Sequence, residues 1–563
     1  SEQDGYSPAM EARRLIDAVL DWFPDACEPS DLPWSAPFGH AFAGLLMLAD
    51  WLASDEARFR FPEDGTPDGS ARFPWAVEQA REAVERLALD PSAARDAARA
   101  RALDAWTLTG YVELRRSQEA MRTLAAPPDE GRLCLVEDET GAGKTEAAVI
   151  HFLDLFRRGA VDGMYFALPT RAAAVQIHRR IEKMLQRLLG DAAPTVGLAV
   201  PGYLREADPA ALPDDGKMWS DEAHRDSTWA TERPKRYLAG WVMVGTIDQL
   251  LLGGLRVRHA QLRSAAMLRH LLVVDEVHAS DVYMTTLLRN VLAQHRRAGG
   301  HVLLMSATLG SIARSGFFKL EGRGATQRLA DAVDPDRSPY PTVWSSACEE
   351  PLIRRDEGAT ARTKEVRVQL EPAWDDAAVV AARSRAAAER GARVLIIRNT
   401  VRLAVATQLA IEAEAPGLGL RVDGPAGATV PAPHHARFAP EDRWVLDAAL
   451  ENAFGKARQA EGGVVAVATQ TAEQSLDIDA DLLITDLCPA DVLLQRIGRL
   501  HRHDRRRAAG FGLPTVVVVA PPEEDLAAAI RPNGEVGHPP LVLGLIYPDL
   551  TGVLATRREL AGR

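Results

Sequence analysis

The sequence predicts an α/β protein with two tandem parallel-sheet lobes, a helical N-terminal domain and a short C-terminal extension. Three observations carry this expectation. From about residue 118, short apolar runs alternate with helical segments in two successive blocks, the βα rhythm of a parallel sheet. The buried-looking run Leu271–Val274 leads straight into Asp275-Glu276, and open sheets of this kind bind ligands outside the carboxyl ends of their strands. Upstream, Thr140-Gly141-Ala142-Gly143-Lys144-Thr145 has the make-up of a phosphate loop that opens a helix.

In chain order, residues 1–115 are rich in Ala, Arg, Glu and Trp at helical spacing and are broken by turn-rich stretches such as 61–67. They read as the helical domain. Strands are expected at 132–136, 163–168, 241–244, 271–274 and 302–305, within a first lobe spanning 116–345. A polar stretch near 345–363 links it to a second lobe, 346–515, with strands near 393–397, 463–467, 481–485 and 514–519. Residues 516–563 read as the start of a C-terminal domain.

Bulk properties narrow the function. A chain of 563 residues is too long for one core. Neither a membrane-length apolar run nor a basic-then-apolar leader is evident, so no membrane role and no export are expected. The four cysteines, Cys27, Cys134, Cys348 and Cys488, are far apart and read as reduced thiols of a cytoplasmic protein. A net charge of −12 argues against a globally basic nucleic-acid binder. Any such site is a local groove.

The motifs describe nucleoside triphosphate chemistry. Glycines let backbone N–H groups wrap phosphates, Lys144 reaches the outer phosphates, and the Thr145 hydroxyl joins Asp275 in holding Mg²⁺. Glu276 is placed to orient a water. Gln118, upstream of the loop, has an amide suited to reading adenine. Asp221-Glu222-Ala223-His224 spells a similar acidic motif, but no apolar strand precedes it. Ser306-Ala307-Thr308 ends another strand and suits a link between nucleotide state and domain movement. Pro169-Thr170-Arg171 and Gly245-Thr246-Ile247-Asp248-Gln249 also end apolar runs, where hydroxyls and Arg suit sugar-phosphate contacts. In the second block Gln495-Arg496-Ile497-Gly498-Arg499-Leu500-His501-Arg502 is the most specific element. Arg499 and Arg502, three apart and expected on one helical face, are candidate arginine fingers for the γ-phosphate. Before it, Thr469 and Gln470 suit a nucleic-acid backbone, and Asp477 a ribose or an arginine finger.

These motifs, in this order, resemble a superfamily-two DExH helicase, which implies two RecA-like lobes. The finer wording of Gly245–Leu251, Asp275–Ala279, Asn399–Val401, His435–Phe438, Thr469–Asp479 and Leu494–His503 resembles the helicase–nuclease of type I CRISPR systems over about 118–515. The resemblance implies ATP-driven 3′→5′ movement on single-stranded DNA, recruitment by an RNA-guided surveillance complex, and degradation of invading DNA. It assigns nucleotide contacts to Gln495, coupling to His278, Ser306 and Thr308, and nucleic-acid contacts to Asn399 and Thr400 beside Thr170, Arg171, Thr246, Gln249, Thr469 and Gln470.

Two departures stand out. Asp138 and Glu139 occupy positions where the family has small residues and Pro; they are expected to contribute only backbone. Residues 39–55 resemble the closing helix of the family's histidine–aspartate metal domain, with Asp50 as a last metal ligand, but the earlier histidines are missing. A remnant is therefore expected here, with a working nuclease on a separate segment. The alternatives are a general DExH helicase on RNA or DNA, and an ATP-gated nucleic-acid clamp without turnover.

Overall fold

The computed structural model describes most of residues 7–124, 131–200, 240–318, 340–353, 364–526 and 546–562. The chain divides into two compact units, Ser1–Asp356 and Glu357–Arg563.

The first unit is built on seven strands: β1 (Leu133–Glu137), β2 (Gly163–Leu168), β3 (Val196–Ala199), β4 (Val242–Thr246), β5 (His270–Val274), β6 (Val302–Ser306) and β7 (Thr342–Ser345). Their order is β3-β4-β2-β5-β6-β1-β7. β1 to β6 run parallel, and β7 closes one edge antiparallel to β1. β1, β2, β4, β5 and β6 are buried along their whole length, which is why they read as continuous apolar runs. Successive residues of each strand feed opposite faces. Cys134, Val136, Phe166, Val273 and Met305 pack with the helices Lys144–Arg158 and Arg171–Leu189. Leu135, Tyr165, Leu272, Val274 and Leu304 pack with Val282–Arg297 and Ser311–Phe318.

β3, β7 and, in the second unit, β8 (Arg367–Glu371) and the short strands Arg421–Asp423 and Thr429–Pro431 escaped the sequence reading. β3 and β7 have four residues each. β8 is a half-exposed edge strand whose Arg and Glu ends break any apolar run.

Helices Pro8–Trp22, Ala36–Ala53, Gly69–Arg86 and Ser92–Ala100 precede the sheet. The helix Ala36–Ala53 is, by length and composition alone, apolar enough to cross a membrane, with a mean hydropathy of 1.2 over its 18 residues. Its one buried residue is Gly44. A Cβ there would lie 2.2 Å from the Gln261 carbonyl oxygen on the helix Ala260–Ala266, so the two backbones touch. Trp51 meets the His259 ring at 5.4 Å between centroids.

The second unit holds a five-stranded parallel sheet in the order β12-β9-β13-β14-β8. Its strands are β8 (Arg367–Glu371), β9 (Arg393–Ile397), β12 (Val464–Ala468), β13 (Leu482–Asp486) and β14 (Thr515–Val519). A separate hairpin pairs β10 (Arg421–Asp423) with β11 (Thr429–Pro431). The C-terminal helix Leu550–Ala561 buries Leu550 and Val553 in this unit's core. Arg398 and Asp486, just beyond β9 and at the end of β13, form an ion pair of 2.9 Å with no exposed side-chain surface.

The amino ends of the first sheet gather buried histidines. His270 opens β5, His301 directly precedes β6, and His295 lies in the helix before it. His151 is buried in the helix after β1, with both ring nitrogens unpaired. Burial pushes His151 down to about 3, and His295 and His301 to about 4. An unfolded histidine titrates near 6.5, so between there and the folded values the unfolded chain binds more protons. Stability should therefore fall as the pH drops below about 6.5, by up to about 1.4 kcal/mol per pH unit for each histidine. Urea denaturation should show a lower midpoint at about pH 5 than at about pH 7, and His151→Leu should flatten that difference. An unchanged pH dependence in the variant would remove His151 as a cause.

Candidate nucleotide and nucleic-acid site

Because β1, β2, β4, β5 and β6 are parallel, their carboxyl ends share one edge of the sheet. The phosphate loop follows β1, Thr170 and Arg171 follow β2, Thr246 ends β4, Asp275 and Glu276 follow β5, and Ser306 ends β6. Thr140, His278, Thr308 and the Asp221–His224 run lie outside the described residues.

Gly141 and Gly143 have φ of 87° and 86°, a region that side chains disfavour. A Cβ on Gly143 would also stand 2.3 Å from Gln118 Nε2. Ala142 is buried, and its amide donates to the Glu139 carbonyl at 3.1 Å. Lys144 opens the following helix, and its Nζ donates to the carbonyls of Asp138 at 2.8 Å and Glu139 at 3.1 Å. Asp138 contributes more than backbone, against expectation. Its side chain is buried, its Oδ1 accepts the Glu139 amide at 2.9 Å, and burial pushes its carboxyl up against the pull of Ser117 and Glu139.

The Asp275 amide donates to the Ala167 carbonyl at 2.9 Å, and its Oδ1 accepts the Glu276 amide at 2.9 Å. Glu276 has φ of 52°, a left-handed conformation for a residue with a Cβ, of the kind that accompanies functional sites. Desolvation and then the Glu276 charge push the Asp275 carboxyl up to about 7, against the pull of Lys144 and Arg180. An acid poised near neutrality is one that a cation would hold ionised. With Thr145 in the first helical turn, the donors are hard oxygens that suit Mg²⁺.

Gln118 is tied to the loop. Its Oε1 accepts the Arg115 amide at 3.0 Å and its Nε2 donates to the Gly143 carbonyl at 3.2 Å. Arg115 Nη1 donates to the Gly141 carbonyl at 2.6 Å. Beside them opens a cleft of about 380 Å³ lined by Tyr111, Arg115, Gln118, Glu146 and Arg180, among others. Arg115, Glu146 and Arg180 were not read from the sequence; nothing in their spacing marks them.

Of the nucleic-acid candidates on this unit, Arg171 is exposed. The Thr170 hydroxyl caps the next helix by accepting the Ala173 amide at 3.2 Å. Thr246 and Gln249 are buried, and Gln249 Oε1 accepts from Arg263 at 2.8 Å.

The second unit corrects two expectations. The helix Ala490–Ile497 ends before Arg499, so the arginines do not share a helical face. They converge differently: Arg499 donates to the Glu473 carbonyl at 2.6 Å and to Leu476, and Arg502 donates to Leu476 at 3.4 Å. Arg502 also pairs with Asp477 at 3.1 Å. Asn399, expected to face nucleic acid, is buried. Its Nδ2 donates to the Leu487 carbonyl at 2.9 Å and its Oδ1 accepts from Arg496 at 2.9 Å. Gln470 Nε2 donates to the Asn399 carbonyl at 2.8 Å, Thr469 and Gln495 are buried, and Thr400 caps its helix through the Leu403 amide at 3.2 Å.

Arg496 is the hub that the sequence reading passed over. Fully buried, it donates to Glu473, Thr485, the Asp486 carbonyl, Asn399 and Tyr547. Asn399→Ala should therefore cost the second unit about 1–3 kcal/mol by leaving a buried guanidinium N–H without its acceptor. Chemical denaturation checks this; wild-type stability in the variant would show that the hub does not need Asn399.

Three family models match the chain: a Cas3 HD domain at residues 2–59, a DEAD/DEAH box helicase at 115–211, and the C-terminal part of the CRISPR-associated nuclease/helicase Cas3 at 390–505. The first changes the view of the N-terminal helices, which match a recognised HD domain where a remnant was expected. Asp50 is exposed on its helix, and no group of three or more potential metal ligands converges among the described residues. The Escherichia coli CRISPR-associated endonuclease/helicase Cas3 is 32% identical over 506 residues, covering 86% of this chain and 53% of the relative. The Thermus thermophilus protein of the same description is 31% identical over 564 residues, covering 92% and 57%. The chain thus spans about half the length of the curated relatives it matches. The crystal structure of T. fusca Cas3-ATP is similar with a TM-score of 0.72 at 28% identity, covering 98% of this chain and 62% of that one. With HD, helicase and C-terminal models matched in order along two parallel sheets, the chain belongs to the CRISPR-associated Cas3 nuclease/helicase family.

Proposed function

We propose that this chain is the ATP-driven motor of a type I CRISPR defence system, moving 3′→5′ on single-stranded DNA after recruitment by an RNA-guided surveillance complex. The observation that carries the reading is the shared sheet edge. It sets Lys144, its glycine loop and the Asp275–Glu276 pair together, with the Asp275 carboxyl poised near 7.

In this reading the loop amides and Lys144 bind the phosphates, and Gln118 faces the base. Thr145 and Asp275 are the residues that would hold Mg²⁺, which would supply positive charge beside the transferred phosphoryl group. Glu276 orients the attacking water. Arg499 and Arg502 supply charge to the transition state, which requires them to leave their carbonyl partners. Gln495 and Asp477 serve the nucleotide, while His278, Ser306 and Thr308 relay its state. The exposed Arg171 makes the most direct phosphate contact, with Thr170, Thr246, Gln249, Thr400, Thr469 and Gln470 shaping the path. DNA affinity then falls steeply with salt. The HD match at residues 2–59 supports DNA cutting as an activity that accompanies the motor.

The testing experiment is steady-state ATP hydrolysis with and without single-stranded DNA, with RNA as control and Lys144→Ala as blank. Stimulation by DNA alone, lost in the variant, is the expected result. Stimulation by RNA instead would identify a general RNA helicase, and no turnover with either would identify a clamp. Glu276→Gln should lower turnover by about 100-fold or more while ATP stays bound; rapid hydrolysis by that variant would remove Glu276 from its role.

A further inference from the structure

Glu146 puts a carboxylate beside the phosphate loop. It lies two residues past Lys144, in the first turn of the helix whose N-terminus faces the phosphate loop. Amides of such a turn attract anions, so a fixed negative side chain there competes with a polyphosphate. Its Oε2 is buried without a hydrogen-bond partner, and it lies 3.3 Å from where a Gly143 Cβ would stand. The other oxygen, Oε1, takes both arms of Arg180: Nε at 3.0 Å and Nη2 at 2.5 Å. Glu146 and Arg180 both line the cleft beside Gln118 and Arg115. The side chain of Glu146 is 14% exposed and that of Arg180 49%, so the pair sits at the cleft wall with its carboxylate on the inner side.

Arg180 comes from the middle of the helix Arg171–Leu189, whose own start carries Thr170 and Arg171. Its charge also reaches the acidic pair, where it acts on Asp275 in the same direction as Lys144. One guanidinium therefore bonds Glu146 and also acts electrostatically on Asp275. No other cation bonds Glu146 among the described residues.

We propose that Arg180 is a positioning residue for the nucleotide. By neutralising Glu146 it makes the inner wall of the cleft acceptable to a nucleoside triphosphate, and so sets nucleotide affinity without touching the reacting bond. This rests on the nucleotide reading of the site. The role is electrostatic, so what matters is the uncompensated carboxylate and not the arginine as such.

The test is equilibrium binding of a fluorescent ATP analogue with Mg²⁺ to the full chain. Wild type, Arg180→Ala, Glu146→Gln and the double variant are compared, with Lys144→Ala as the blank and thermal unfolding as the folding control. Arg180→Ala should bind about tenfold more weakly, a loss that shrinks as salt rises. Glu146→Gln should bind within about threefold of wild type, and the double variant should recover to within about threefold. Unchanged binding by Arg180→Ala, or a double variant as weak as Arg180→Ala, would overturn the proposal. Wild-type binding that ignores Lys144→Ala would overturn the nucleotide reading beneath it.

Discussion

Parallel strand pairing is the constraint on which the rest of the first unit depends. Each parallel neighbour must be reached by a crossover, so every strand of the run from β3 to β1 leaves the sheet on the same side. Residues distant in sequence, from Lys144 to Ser306, become neighbours of one edge without any contact designed between them. The same pairing buries the strands on both faces, and the opposite edge collects its own consequence, the neutral histidines His270, His295 and His301. One end of the sheet is chemically busy, and the other buries these imidazoles beside Arg132 and the ion pairs of Asp162 with Arg95 and Arg269.

The second unit follows the same plan but solves a different problem. Its arginines carry charge into a nearly dry interior, a costly move unless every donor finds a partner. Arg496 meets that condition with acceptors at the ends of two strands, β9 and β13, with Glu473 just past a 3₁₀ turn and with Tyr547. Arg398 meets it through Asp486, Thr407 and the Trp374 carbonyl. The conspicuous basic run is thus divided. Arg496 holds the segment in place, and Arg499 and Arg502, beyond the helix, donate to the carbonyl oxygens of Glu473 and Leu476, with Arg502 also paired to Asp477.

The sequence was most legible where one physical signal sufficed. Continuous apolar runs located β1, β2, β4, β5 and β6 to within a residue or so of their bounds, because strands buried on both faces admit nothing else. The phosphate loop was legible because Gly141 and Gly143 sit in a conformation that side chains resist. Short edge strands were not legible, since β8 needs no apolar surface. Nor were the contacts of Asn399, Asp138 and Arg180. A polar residue at a strand end reads as a ligand contact whether it points outward or inward. Only the fold shows that Asn399 faces Arg496 and that Glu146 and Arg180, 34 residues apart, share one wall.

Gly44 carries a mechanical consequence. Most helix contacts are cushioned by side chains that can change rotamer, so neighbouring elements slide by small amounts at little cost. Where a missing Cβ lets the helix Ala36–Ala53 rest on the Gln261 carbonyl, no such cushion exists, and the spacing is set by atomic radii. The helix Ala260–Ala266 beneath it also holds Arg263, which grips Gln249 at the strand end. The HD-matched helix is therefore fixed at a hard stop on Ala260–Ala266, while the onward link from there to the strand end runs through one side-chain hydrogen bond.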